Sequence, residues 1–200
     1  VGNDNLAEYL NCIYFERAQT ASETLSLSAI CKYVSDKAIF SQIGSAVYIS
    51  TENILPDKQG ISSFGTTSPS ERVTYFHAED VLVSNIRPYF KKMWFATTAG
   101  GCNADVLCFR ALDRKYSYLL KSIIYQDSFF DYVMSGAKGT KMPRGDKTHI
   151  MQYQIPRFSE SQLNKFNSLA STIERNQAQN RREISTLENT KEMLLATLSR

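Results

Sequence analysis

Histidine occurs twice and tryptophan once in 200 residues, and these shortages narrow the chemistry the chain can carry. His77 and His149 lie far apart in sequence, and neither has the paired histidines or cysteines that a zinc site requires. Cys12, Cys31, Cys102 and Cys108 are scattered, with no C-x-x-C pair, so free, reduced thiols acting as small apolar residues are expected. No apolar run approaches the roughly 18 residues of a membrane helix. Residues 1–20 carry Asp4, Glu8 and Glu16 and lack the basic start and apolar block of a signal peptide, so a cytoplasmic location is expected. The chain also lacks a G-x-S-x-G elbow and a G-x-x-x-x-G-K-[ST] phosphate loop. It has no Asn/Asp-Pro-Pro-Tyr/Phe motif and no glycine-rich cofactor loop, which argues against a methyltransferase. Glu79-Asp80 has no partner carboxylate and lysine at nuclease spacing, so Asp80 reads as a turn residue before a strand. The expectation is a non-catalytic protein with no cofactor and no metal.

What is present fits one globular domain with an appendage. Hydrophobic residues make up 42% and charged residues 22%, enough apolar material for a core. The net charge of +3 says little by itself, but its placement is uneven. Arg87, Lys91 and Lys92 fall in the stretch 85–92 with Tyr89 and Phe90, and Lys138, Lys141, Arg144 and Lys147 fall in the glycine-containing stretch 136–147. Residues 158–200 are close to charge balance. Basic loops with Gly, Thr and Tyr suit phosphate contact and groove reading, and two solvated surface loops would carry the same charges.

Hydrophobic periodicity predicts three zones. Leu6, Tyr9/Leu10 and Ile13 recur at helical spacing within residues 1–20. Between 24 and 157 the pattern is mixed, with strand candidates at 46–50, 81–86, 93–97 and 104–109 and an interruption at Gly100-Gly101. A helix is predicted over Tyr116–Met134, and Trp94, between Met93 and Phe95, is assigned to the core. Strands first and a helix later predict an α+β fold. From Ser159 to Arg200 there is neither proline nor glycine, so one long helix is predicted, capped by Ser159 or Ser161. Ile173, Gln177, Asn180, Ile184, Leu187, Lys191, Leu194 and Leu198 form a heptad seam with polar members. About 40 residues make a rod on the order of 60 Å, longer than a small domain is wide, so its outer part is expected to pair.

The span Thr24–Arg200 resembles one half of the specificity subunit of type I DNA restriction–modification systems. Five stretches carry the resemblance in order: Leu25–Cys31, Val47–Ile54, His77–Pro88, Ser135–Pro143 and Gln154–Gln162. The last departs from the family pattern, because Phe158 and Ser159 replace prolines and Ser161 separates Glu160 from Gln162. Residues 1–20 resemble the end of the conserved helix that precedes a recognition domain. The resemblance implies a target-recognition domain over 24–157 and a spacer helix over 159–200. It further implies a non-catalytic subunit that reads one half of a bipartite target in double-stranded DNA. Its partners would be methyltransferase subunits, a restriction subunit and a second copy paired through the C-terminal helix, with no membrane. The expected DNA contacts are Arg87, Tyr89, Lys91, Lys92, Lys138, Lys141, Arg144 and Lys147. Among them Arg87 or Arg144 would read a guanine edge, because a guanidinium fork is bidentate. Lys58 is expected to lie off that face. A coiled-coil interaction protein without specific DNA binding is the other reading of the same features.

Overall fold

The computed structural model describes residues 2–43, 47–65 and 70–198. The side chains of Leu6, Leu10 and Leu198, residues 199–200, and Ala46 of the first strand candidate lie outside the described residues. The chain opens with α1 (Gly2–Gln19) and closes with α5 (Glu160–Leu198), and what lies between is built on short strands. Tyr9 of α1 is 55% exposed; among the described side chains of this helix Tyr14 is buried, and Ile13 and Ala18 pack against the same core.

The two ends of the strand-rich part are tied together. β1 (Thr24–Ser26) pairs antiparallel with β10 (Gln154–Pro156), Leu25 opposite Ile155. Arg157 reinforces the closure through its amide to the Glu23 carbonyl at 2.9 Å and its guanidinium to the Glu23 carboxylate at 2.8 Å. α1 therefore arrives beside the point where α5 leaves.

Two four-stranded sheets follow. In the first, β2 (Cys31–Tyr33), β9 (Val106–Ala111), β6 (Val81–Ser84) and β7 (Met93–Phe95) lie side by side and all pairs are antiparallel. The second has the order β3 (Lys37–Ile39), β5 (Arg72–Phe76), β8 (Gly100–Cys102), β4 (Tyr48–Ile49), with β4 parallel to β8. Side chains alternate across a strand, and here both faces of the first sheet are covered. Val81, Val83, Leu107, Phe109 and Met93 face a core shared with the helices, while Leu82, Trp94, Val106 and Cys108 face Ile49, Phe76 and Cys102 of the second sheet. That explains why 81–83 reads as an unbroken apolar run. The fold is α+β in three layers: helices, sheet, sheet.

Two details differ from the sequence pattern. Gly100-Gly101 is not an interruption but part of β8, in the middle of the second sheet. A Cβ on Gly100 would sit 2.6 Å from the Val47 carbonyl oxygen, and one on Gly101 would sit 2.5 Å from Val73 Cγ2. Glycine is thus the residue that lets neighbouring elements close in on the strand. The helix expected over 116–134 is two helices, α2 (Ser117–Ile124) and α3 (Asp127–Ser135), separated where Gln126 turns extended with ψ 142°. The break re-aims the chain so that Ile123 and Ile124 on one side of it and Phe129 and Phe130 on the other all reach the helical core.

α5 begins with a reciprocal cap. Gln162 N–H donates to Ser159 Oγ at 3.3 Å, and the Gln162 amide oxygen accepts from Ser159 N–H at 2.8 Å. Ser159 caps the helix, and Phe158 packs between the rings of Tyr14 and Phe166, each 6.1 Å away. Leu163, Phe166, Ala170, Ile173 and Gln177 are buried against the chain's own domain. Burial of Leu163, Phe166 and Ile173 alone contributes on the order of 5–9 kcal/mol, which fixes this half of the helix to the body. From Arg182 to Thr197 every residue is exposed, among them Ile184, Leu187, Lys191 and Leu194.

Candidate nucleic-acid interface

The basic stretches 85–92 and 136–147, some fifty residues apart in sequence, meet in space. Residues 138–144 form a small hairpin in which Lys138 and Arg144 exchange backbone hydrogen bonds at 2.9 Å, with Gly139 at φ 94° in the reversal. The hairpin lies against the segment after β6. Arg87 N–H donates to the Pro143 carbonyl at 2.8 Å, Gly145 N–H donates to the Asn85 carbonyl at 3.4 Å, and Ile86 bridges Arg144. A Cβ on Gly145 would fall 2.9 Å from Ile150 Cδ1 and Val133 Cγ1.

Within this joint surface the eight expected DNA contacts are not equivalent. Tyr89, Lys138, Lys141, Arg144 and Lys147 are exposed, and Arg87, Lys91 and Lys92 are half-buried. Lys138 Nζ lies 2.5 Å from Asp146 Oδ2, and Arg144 Nε lies 3.3 Å from Asp105 Oδ1. Those carboxylates separate two cations that the hairpin places directly opposite each other, where like charges repel. Asp146 also caps α4 (Lys147–Met151) by accepting from Thr148 and His149 N–H. The Lys138 ammonium, then the His149 amide, hold its carboxyl down at about 2. The Arg87 backbone is left-handed at φ 50°, and its Nε is buried without a hydrogen-bond partner. Asn85 Oδ1 is likewise buried without one.

Three of the eight have their contacts outside the hairpin. Lys92 Nζ donates to the Thr51 carbonyl at 2.8 Å, pointing inward. Lys91 shares Asp127 with Lys58, at 3.0 and 2.7 Å, and the hydrogen bonds from Lys58 and then Lys91 lower the Asp127 carboxyl below its usual range. Lys147 lies over the Tyr33 ring on the β2 edge, 5.8 Å from its centroid. Lys58, expected off the face, lies beside the 85–92 segment: its N–H donates to the Lys91 carbonyl at 2.9 Å, and its ammonium turns to Asp127. Asp57, Phe90, Asp105, Asp127 and Asp146 complete the surface. No sequence signal singles them out, because their role depends on which loops are neighbours.

The seam of the long helix divides. Ile173 and Gln177 are 4% and 6% exposed within their own domain, so they are not free to meet another chain. Ile184, Leu187 and Leu194 are 50%, 68% and 59% exposed. Asn180 is half-buried at the boundary.

Other titratable groups have structural settings. Asp80 is buried, accepts from His77 N–H at 2.8 Å, and receives Arg110 Nε at 2.9 Å and Nη2 at 2.7 Å, while Arg110 Nη1 reaches Asp36 at 2.7 Å. It is a turn residue and also the anchor of an ion pair. His149 stacks on Tyr132 at 4.1 Å, where a Cβ on Gly136 would collide with it at 2.2 Å. Among the described residues no group of three His, Cys, Asp or Glu is placed to hold a metal ion, and no helix is long and apolar enough to cross a membrane.

No family model matches the sequence, and no curated protein matches it. Solved structures do. The crystal structure of a type I restriction-modification system S subunit from M. genitalium superposes with a TM-score of 0.61 at 13% identity, over 96% of this chain and 52% of that one. The HsdS subunit from Thermoanaerobacter tengcongensis superposes with a TM-score of 0.54 at 14% identity, over 91% of this chain and 46% of that one. The chain thus spans about half the length of the solved structures it matches. From its first helix to its last, it has the fold of the S subunits of type I restriction–modification systems.

Proposed function

We propose that this chain is a sequence-specific DNA-recognition component of a type I restriction–modification system, reading one half of a bipartite target. The observation that carries the reading is the junction of the two basic stretches into one surface, on a fold shared with S subunits. Residues 24–157 act as the recognition domain and 159–200 as the spacer and pairing helix. The chain carries no catalytic group of its own and works in the cytoplasm with methyltransferase subunits and a restriction subunit. On the recognition surface Lys138 and Lys141 meet phosphates, and Arg144 or Arg87 reads a base edge. Lys91 and Lys92, half-buried, and Lys147, exposed beside the hairpin, add positive potential.

The test is selection from a random-core duplex pool, followed by binding titrations over a range of salt. Arg144→Ala is expected to weaken binding to the selected site by about 1–3 kcal/mol and relax it at one position. Lys141→Ala is expected to weaken binding to all sequences and lower the salt slope by about one. Lys32→Ala is the control, because Lys32 is exposed and pairs with Arg110 at the far end of β9 from this surface. Unchanged affinity and selectivity in Arg144→Ala and Lys141→Ala together would refute the placement.

Pairing of two copies is the second part of the proposal. It rests on the apolar residues that the outer half of α5 leaves in solvent, Ile184, Leu187 and Leu194. A two-fold arrangement of such helices would rebuild the length of the S subunits that this chain half covers. Light scattering at micromolar concentration is expected to give a dimer, and Leu187→Glu with Leu194→Glu a monomer. A strictly monomeric parent would overturn it.

A further inference from the structure

Four of the five non-glycine residues with left-handed backbone among the described residues, Asp57, Lys58, Arg87 and Lys91, meet at one place. A side chain disfavours that conformation, and its clustering marks a segment held by its surroundings for a purpose. What they hold is the single 3-10 turn Pro88–Phe90. Asp57 N–H donates to the Phe90 carbonyl and Lys58 N–H to the Lys91 carbonyl, both at 2.9 Å. Arg87 N–H donates to the Pro143 carbonyl of the neighbouring hairpin, and the exposed Asp127 carboxylate ties Lys58 to Lys91. Pro88 is buried, yet the two residues so firmly mounted point outward: Tyr89 is 46% and Phe90 40% exposed, their rings 4.7 Å apart. Met142, on the hairpin that abuts them, is 43% exposed.

We propose that Tyr89 and Phe90 form a rigid apolar wedge that enters a groove of duplex DNA and presses on the bases, selecting for thymine methyls and for a base step that unstacks easily. This inference rests on the DNA-recognition reading and deepens it. Apolar wedges flanked by cations are one way proteins bend and read a duplex, and pyrimidine–purine steps deform most readily. The hairpin that carries Lys138, Lys141 and Arg144 abuts the turn through the bond from Arg87 N–H to the Pro143 carbonyl, and supplies cations for phosphates on that side. A protein-binding hot spot would instead be depleted of lysine at its centre. Fixing the turn beforehand removes the ordering cost that a mobile loop would incur on binding.

The experiment compares the whole chain with the Tyr89→Ser/Phe90→Ser double variant on the duplex selected from a random-core pool, at low ionic strength. The rings are surface groups, so the variant is expected to keep the parent's melting temperature, and Phe90→Leu, which stays apolar, is expected to retain most of the binding. The double variant is expected to lose about tenfold to a hundredfold in affinity with an unchanged salt slope. 2-Aminopurine placed at successive positions of the duplex is expected to brighten at one step with the parent and not with the variant. A parent that binds while the double variant binds equally well would overturn the wedge alone, leaving the aromatic turn as a protein-docking surface. Binding lost in the variant without any 2-aminopurine response to the parent would overturn the unstacking. A parent that binds no duplex at all would overturn both the wedge and the recognition reading beneath it.

Discussion

Replacing Asp80 with alanine removes the carboxylate on which one end of the two-sheet core is hung. Asp80 has a side chain 3% exposed and accepts Arg110 through both Nε and Nη2, the His77 amide at 2.8 Å and the Cys108 thiol at 3.6 Å. Without it the His77 amide loses its acceptor, and Arg110 keeps only Asp36, whose side chain is 58% exposed. Breaking a buried pair from one side costs about 3–5 kcal/mol. Arg110 is 21% exposed and regains part of its hydration, so the lower end, about 3 kcal/mol, is the expected loss. For a chain of this size that lowers Tm by about 6–12 °C. Asp36→Ala is expected to cost no more than about 1 kcal/mol, as for other exposed pairs. Urea denaturation of Asp80→Ala, Arg110→Ala and the double variant closes a cycle, and a coupling energy above about 1.5 kcal/mol is expected. A loss under about 1 kcal/mol for Asp80→Ala, or additive single effects, would refute the anchoring role.

Two further outcomes are expected. The Asp146 carboxyl, held at about 2 against an ordinary 3.8, contributes stability that is complete above 3.8 and is lost as pH falls from there to about 2. Carboxyl NMR is expected to show this midpoint, and Lys138→Met to move it upward; an unmoved midpoint would show that the ammonium does not cause the shift. Cys12 is exposed, whereas burial pushes the Cys31 and Cys102 thiols up to about 12 and raises that of Cys108 further. An aromatic disulfide reagent is therefore expected to modify Cys12 quickly in the native protein and the other three only on unfolding, and rapid labelling of Cys12→Ser would contradict the packing.

The sequence by itself determined the features that depend on local rules. A stretch without glycine or proline from Ser159 onward, with apolar residues recurring at steps of three and four, reads as one long helix. Its Ser-x-x-Gln start matches the cap, and β6 and β7 follow from β-branched and aromatic runs. The α+β class and the likeness to S subunits were legible at this level, as was the assignment of Trp94 to the core, where it is 7% exposed. Only the tertiary structure decided what depends on neighbours. Gly100-Gly101 reads as a break because glycine weakens an isolated strand, yet in the sheet it is the residue that Val47 and Val73 leave room for. Ile173 and Leu187 look alike on the heptad, but the domain covers one and leaves the other in solvent. The basic stretches were visible as composition, while their union, the pairing of Lys58 and Lys91 with Asp127, and the bond of Lys92 to Thr51 arise from contacts between loops remote in sequence. Charge can be counted along a chain, but the direction in which each charge points is set by the carboxylates and carbonyls that folding places beside it.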